Sequence, residues 1–431
     1  MVGRNGVVAG LLGLAVTGGA LLATGEESPV GADKTDAKLR TIAEQVEDLR
    51  GLEFDELPKM RKVTKRQLQR EAVKQQEQMT GKDMLELEAS GELMKLLGFL
   101  DHRADLTSAA PDTSDIAGTY EFDSKRLTIV KNVKKSRIPP EIVYAHELAH
   151  ALEDQRFGLD SLTRGGDDAT QAKRALGEGS ATFLEAQYAK RHFGANVSSR
   201  QIATADPAST EKGSTKKASY DENSERFVYL DGARFVARLF RHGGWKAVNR
   251  ALESDPPTST EQILHPDVYL DKERTAEIEL DTERLLGEDH HKLSAGQLGE
   301  FDTSQILLKG AKADDEITRK EAATAAEGWD GGRYELWQQA DSSEECTPPC
   351  VEKDVLVLAW SWDSAEEVAE FVSLLPGYLE RFQKLKKVRP NLWRGEVVDA
   401  ALAVTERETT LVLAPTPQLA QKLATSVRGR P

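Results

Sequence analysis

His146-Glu147-Leu148-Ala149-His150, an instance of H-E-x-x-H, constrains this chain more than any other stretch. An α-helix turns about 100° per residue, so two histidines four apart lie only about 40° apart on one face. Their imidazoles can converge on a single metal ion, which ring nitrogens bind at about 2.0–2.1 Å. Glu147 projects to the other side of His150, near enough to reach a water beside the metal but poorly placed as a third ligand. Two neutral donors for Zn²⁺ and a carboxylate that takes a proton from an attacking water are what hydrolysis of a carbonyl needs. Ile138-Pro139-Pro140-Glu141 opens the segment, and proline suits a first helical turn because its missing N–H had no partner there. Ile142, Ala145, Ala149 and Leu152 then recur at helical spacing, with no Pro or Gly until Gly158.

A catalytic zinc takes three protein ligands and leaves one position open. Glu178 is the best third candidate, in Ala175-Leu176-Gly177-Glu178-Gly179-Ser180-Ala181-Thr182. Gly177, Gly179 and Ala181 are small enough to let this helix approach the H-E-x-x-H helix closely. That approach would offset the cost of two helical glycines, about 1 kcal/mol each relative to Ala. Glu185, two turns further along the same face, is the next choice. Asp154 reads either as a carboxylate orienting an imidazole or as a plain surface acid. Carbonyl hydrolysis also creates an oxyanion that needs a donor besides the metal. His265 or Tyr269 is expected to supply it, although a histidine near a helix end also serves local hydrogen bonding.

These motifs carry a resemblance. His146 to His150 followed by Glu178 in a small-residue helix resembles the gluzincin branch of zinc metallopeptidases, with a longer gap between His150 and Glu178 than in thermolysin. A closer resemblance is to a poorly characterised group of exported bacterial and archaeal H-E-x-x-H proteins. The stretches that carry it are Ala151-Leu152-Glu153-Asp154-Gln155-Arg156-Phe157 after the motif, Gly243-Gly244-Trp245, Pro257 to Pro266, and Gly328 to Tyr334. The resemblance implies a zincin-like peptidase whose cofactor is Zn²⁺ and whose partner is a peptide or protein substrate. It further implies that a strand edge just before the metal helix holds the substrate backbone by strand addition. Two rival readings are a zinc-binding scaffold without turnover and a zinc amidase acting on cell-wall peptide links; an intact Glu147 argues against the former.

Residues 1–25 read as an export signal: Arg4 supplies the positive end, Val7 to Ala23 is apolar, and Ala23-Thr24-Gly25 offers small residues for cleavage. An uncleaved anchor is the alternative, and the only membrane association expected. The protein is therefore expected outside the cytoplasm, as periplasmic, secreted or membrane-anchored. The two cysteines, Cys346 and Cys350, fit one short-loop disulfide in that setting. A net charge of −15, from 57 basic and 72 acidic residues, disfavours nucleic acid as a partner.

The expected fold class is α+β. A mainly helical zincin-like domain with a β-hairpin spans residues 38–326, and a small α+β domain spans 327–431. From Lys38 to about Leu100 the pattern is charged and helical, with Leu93, Leu97 and Leu100 facing a neighbour. Gly118 to Phe122 and Arg126 to Val130 alternate around Asp123-Ser124-Lys125 as strand, turn, strand. Residues 198–224 read as a flexible insertion, and Phe227 to Leu252 as helix with Phe235, Leu239 and Phe240 in the core, interrupted at Gly243-Gly244. The last third repeats a β-β-α pattern: Arg333 to Trp337, Leu356 to Ala359 and a helix to Leu375, then Ala400 to Thr405, Leu411 to Ala414 and a helix to Val427. One antiparallel sheet with helices on one face is expected from it.

Overall fold

Amphipathic helices build the first half of this chain and apolar strands the second, an α+β protein. The computed structural model describes residues 32–101, 104–113, 116–131, 139–159, 167–194, 220–310, 319–340 and 353–427. The export signal and the cysteine pair lie outside the described residues, as does all of the expected insertion up to residue 219. Among the described residues, no helix is long and apolar enough to cross a membrane.

The described residues fall into two compact units, one drawn from within 1–79, 110–258 and 262–270, the other from within 80–109, 259–261 and 271–431. The division differs from the boundary expected near residue 326. The first unit opens with α1 (Ala32–Arg50), β1 (Lys59–Val63) and α2 (Lys65–Glu77). The strand β1 interrupts a stretch whose charge pattern reads as continuous helix, because its pairing is with a distant partner. Thr64 ends it with a capping box, its side chain accepting the Gln67 amide while Gln67 reaches back. α3 (Gly81–Leu96), capped the same way by Thr80 and Asp83, belongs to the second unit. Leu96, Leu97 and Leu100 at its end are buried, and the Tyr378 hydroxyl lies 3.4 and 3.3 Å from the carbonyls of Leu96 and Leu97.

The hairpin β2 (Gly118–Glu121) and β3 (Arg126–Val130) forms at the expected positions, and β1 adds to it in parallel, giving the order β1-β3-β2. Glu121 ties the three strands together. Its carboxylate accepts from Thr128 and Ser124 at 2.8 and 2.7 Å and from Arg61 and Arg126 at 2.9 and 3.0 Å. The helix α4 (Pro140–Phe157) follows, then α5 (Asp168–Phe193) with Asp167 as its N-cap. α6 (Tyr220–Arg226) runs through a π-helical turn, Phe227–Asp231, into α7 (Gly232–Glu253). Gly243 and Gly244 break α7 as expected, Phe235 and Leu239 are fully buried, and Phe240 packs edge-on to Trp245. Two short helices follow in sequence, α8 (Thr260–Leu264) and α9 (Pro266–Asp271).

The second unit holds α10 (Thr282–Leu286), β4 (His290–Gln297), α11 (Glu300–Lys309), α12 (Arg319–Thr324), β5 (Trp329–Gln339), β6 (Asp354–Trp362) and α13 (Ala365–Pro376). It ends with β7 (Lys386–Arg389), β8 (Leu392–Arg394), β9 (Asp399–Val404), β10 (Glu408–Ala414) and α14 (Pro417–Ser426). Both β-β-α repeats are present within one antiparallel sheet of order β4-β5-β6-β10-β9-β8-β7. Because β4 pairs with β5, the sheet starts well before residue 327. The helices do not share one face. Val355, Val357 and Val412 pack with Ala420 and Leu423 of α14. On the opposite face Trp360 and Trp362 meet Phe371 of α13, at 4.9 and 4.7 Å between ring centres, and Trp360 donates to Thr303 of α11 at 2.8 Å. A strand buried on both faces loses its polar alternation, which is why β6 reads as an unbroken apolar run.

The Glu121 network generates a pH prediction. Burial alone would raise this carboxyl, but hydrogen bonds from Ser124, Thr128 and Arg126 and the charge of Arg61 hold it below its ordinary value. A depressed native pKa adds stability that is present above the unfolded value of about 4.3 and lost as pH falls through the lower native one. Glu121→Gln should therefore lower unfolding stability by about 1–3 kcal/mol at pH 7. Urea unfolding of variant and parent should converge as pH falls below the depressed native pKa.

Candidate metal centre

Burial fixes the orientation of α4. Ile142, Ala145, Leu148, Ala149 and Leu152 are wholly enclosed, packed in one cluster with Leu39, Val46, Leu127, Ala181 and Leu184. With that stripe turned inward, His146 and His150 turn toward α5. There the Nε2 atoms of His146 and His150 lie 3.2 Å apart, and Oε2 of Glu178 lies 3.3 and 3.2 Å from them. The three donor atoms make a nearly equilateral triangle. Donors at about 2.0–2.1 Å from a tetrahedral zinc are separated by about 3.3–3.4 Å, so the triangle fits one face of such a site and leaves a fourth position. Among the described residues this is the group of His, Cys, Asp and Glu whose donor atoms converge for a metal.

Tautomer chemistry supports the same assignment. Nδ1 of His146 lies 3.0 Å from Oε2 of Glu185, which places a proton on Nδ1 and leaves Nε2 to face the other two donors. Nε2 faces a carboxylate oxygen and a second imidazole nitrogen, an arrangement that either a proton on Nε2 or a cation among the three donors makes favourable. Burial by itself would lower the His146 pKa, yet the hydrogen bonds it donates to Glu178 and Glu185 hold it well above the usual histidine range. Glu178 is held well below its usual range, its burial outweighed by the charge of His150 and the bond to His146. Among the described residues, Nδ1 of His150 is buried without a protein hydrogen-bond partner, and only one of the two imidazoles has a carboxylate behind it.

Glu147 faces the same space from the other side of α4 and is 7 % exposed. Its burial raises its pKa, a rise opposed by His146 and His150, and it accepts the backbone amide of Tyr120 in β2. β2 comes this close because residue 118 is glycine: a Cβ there would stand 2.9 Å from Val143 and 3.1 Å from Glu147. β2 is also an edge strand of its sheet.

Several expected roles change. Glu185 supports His146 and does not stand in the donor triangle. Asp154 orients no imidazole; it accepts from the Tyr120 hydroxyl at 2.9 Å, Lys125 at 2.7 Å and the Leu159 amide at 3.1 Å, and so fastens the hairpin to α4. The glycines of α5 do not face α4. A Cβ on Gly179 would meet the Gly232 carbonyl carbon at 2.2 Å, and one on Gly232 would meet the Ala175 oxygen at 2.2 Å. Ala181 and Ser180 face α4 instead. Tyr269 gives its hydroxyl to the Asp255 carbonyl at 2.7 Å and packs edge-on to Phe235. His265 lies outside the converging group, its carbonyl accepting the Val268 amide.

Tyr229 is the tyrosine whose ring lies beside the donor triangle. Its ring centre is 6.1 Å from that of His146, and the side chain is 37 % exposed. The Glu178 carboxylate, then burial, raise its pKa far above the usual value, against an opposing Arg174, so it keeps its proton. The close Gly179–Gly232 contact and the π turn place it, and π turns frequently occur at functional sites. No motif marks Tyr229 in the sequence; its helical phase depends on the extra residue of that turn.

A family model described as a domain of unknown function, DUF8575, matches residues 284–424. No curated protein and no solved structure matches the chain. The matched residues cover the seven-stranded sheet, whereas the metal centre lies in the first unit.

The α5–α7 contact yields a prediction with opposing terms. Gly179→Ala gains about 1 kcal/mol of helix propensity but forces apart backbones that already touch, and overpacking costs about 1–3 kcal/mol. Net destabilisation is expected, read as a lower thermal midpoint; a higher midpoint would mean the helices separate freely.

Proposed function

We propose that this chain is a zinc-dependent hydrolase of peptide bonds, acting outside the cytoplasm after export. The observation that carries the reading is the triangle of His146, His150 and Glu178 donor atoms at 3.2–3.3 Å. These three residues would hold the metal, which supplies Lewis-acid polarisation of the scissile carbonyl when bound. Glu147, buried beside them, takes the proton of the attacking water and passes it to the leaving nitrogen. Tyr229 keeps its proton and donates to the oxygen on which negative charge develops. Of the two donors expected from the sequence, the Tyr269 hydroxyl is given to the Asp255 carbonyl. The edge strand β2, whose Tyr120 amide meets Glu147, suits an extended peptide added as a further strand. That feature favours a polypeptide over a compact amide.

Metal analysis of the purified full chain should find one zinc per molecule, lost in His146→Ala and in His150→Ala. Glu178→Gln should weaken zinc binding. Glu147→Gln should keep the metal while peptide turnover falls about 10²–10⁴-fold. Tyr229→Phe should lower kcat about 10²–10³-fold with KM little changed. Folded protein that takes up no zinc, or Glu147→Gln with full turnover, would sink the reading.

A further inference from the structure

We propose that Glu153 is a positioning residue for the metal centre: with Arg50 and Ser180 it fixes the register in which α4 and α5 present their donor atoms. The inference rests on the metal-hydrolase reading above. Glu153 lies three residues beyond His150 on α4, Ser180 two beyond Glu178 on α5, and Arg50 at the end of α1. One carboxylate oxygen joins all three helices. Oε1 of Glu153 accepts Nε of Arg50 at 2.7 Å and the Ser180 hydroxyl at 2.6 Å. Both charged side chains are fully enclosed. The Trp245 ring covers the guanidinium at 4.1 Å, and its indole donates to the Leu49 carbonyl at 2.8 Å, so the Gly243-Gly244-Trp245 break in α7 closes over the pair.

Stability alone is a poor account of this arrangement. Each buried ion costs several kcal/mol of desolvation even after relaxation. Here Nη1 and Nη2 of Arg50 and Oε2 of Glu153 have no hydrogen-bond partner among the described residues, so the cost is only partly offset. An apolar pair of similar volume often gives equal or greater stability. An apolar pair, however, tolerates sliding and rotation, whereas one oxygen receiving donors from two helices resists both. A metal site needs its donors placed to within about 0.5 Å. The α4–α5 register sets that placement, because two donors come from one helix and the third from the other.

The test uses the full chain with Co²⁺ as the probe, reading affinity by competition titration and geometry by the visible absorption of the bound ion. Arg50→Met combined with Glu153→Met removes both charges, so the thermal midpoint should hold or rise. Cobalt affinity should nevertheless fall by about tenfold or more, the range typical of residues that orient ligands, and the absorption bands should shift. Ser180→Ala, which deletes one hydroxyl and leaves the ion pair, should lower affinity by a smaller factor and shift the bands in the same sense. A double variant with parental affinity and spectrum makes the pair merely structural and overturns the inference while the metal reading stands. Should the double variant not fold, Ser180→Ala decides, and unchanged affinity and spectrum there overturn it equally. Folded parent protein that binds no cobalt overturns the metal reading, and this inference with it.

Discussion

The buried stripe of α4 is the constraint on which the rest of the centre depends. Burying a Leu or Ile side chain is worth about 1.5–3 kcal/mol, and Ile142, Leu148 and Leu152 are all fully enclosed, with Ala145 and Ala149 between them. That apolar face holds a helix whose other faces carry groups that oppose burial. Glu147, His150, Glu153 and Asp154 are all less than a tenth exposed. Each has a partner whose position follows from the way α4 is docked: the Tyr120 amide for Glu147, Glu178 for His150, Arg50 for Glu153, and Tyr120 with Lys125 for Asp154.

Charge in this region is graded from the inside outward. The Arg50–Glu153 pair is wholly dry, the two histidines are nearly so, and Glu178 and Glu185 retain about a fifth of their exposure. With Tyr229 more exposed still, the centre is, among the described residues, most exposed on the side of Glu178 and Tyr229 and least behind the histidines. The hairpin supplies a second wall: Gly118 brings β2 against Glu147, and Asp154 keeps it there through Tyr120 and Lys125.

The second unit follows a different logic. Its interior strand β6 is apolar on both faces because α14 covers one and α11 and α13 the other. Indole donors bind within this core, Trp360 to Thr303 and Trp362 to Thr409 at 3.0 Å, and Trp329 to the Leu298 carbonyl at 3.0 Å. The family match at residues 284–424 falls on this sheet, so the metal centre stands on its own geometry.

Local chemistry was legible in the sequence wherever neighbours along the chain carry it. The spacing of His146, Glu147 and His150 on a helix, the inward stripe of α4, the β2–β3 hairpin, the break at Gly243-Gly244 and both β-β-α repeats depend on periods of a few residues. Side chains that meet across elements were not legible in this way. The periodicity of α5 puts Glu178 and Glu185 on one face, but only packing decides that Glu178 joins the donor triangle while Glu185 stands behind His146. Gly179 reads as a small residue; that it faces Gly232 and not α4 depends on where α7 lies. Tyr229, the parallel pairing of β1, the helices on opposite faces of the sheet and the place of α3 in the second unit all rest on contacts between residues distant in the chain. Sequence alone thus determined the helix that offers the candidate metal ligands, since 3.6-residue periodicity is a property of neighbours. The tertiary structure alone decided what surrounds that helix, because which side chain meets it depends on how non-local elements pack and on which charges each can bury.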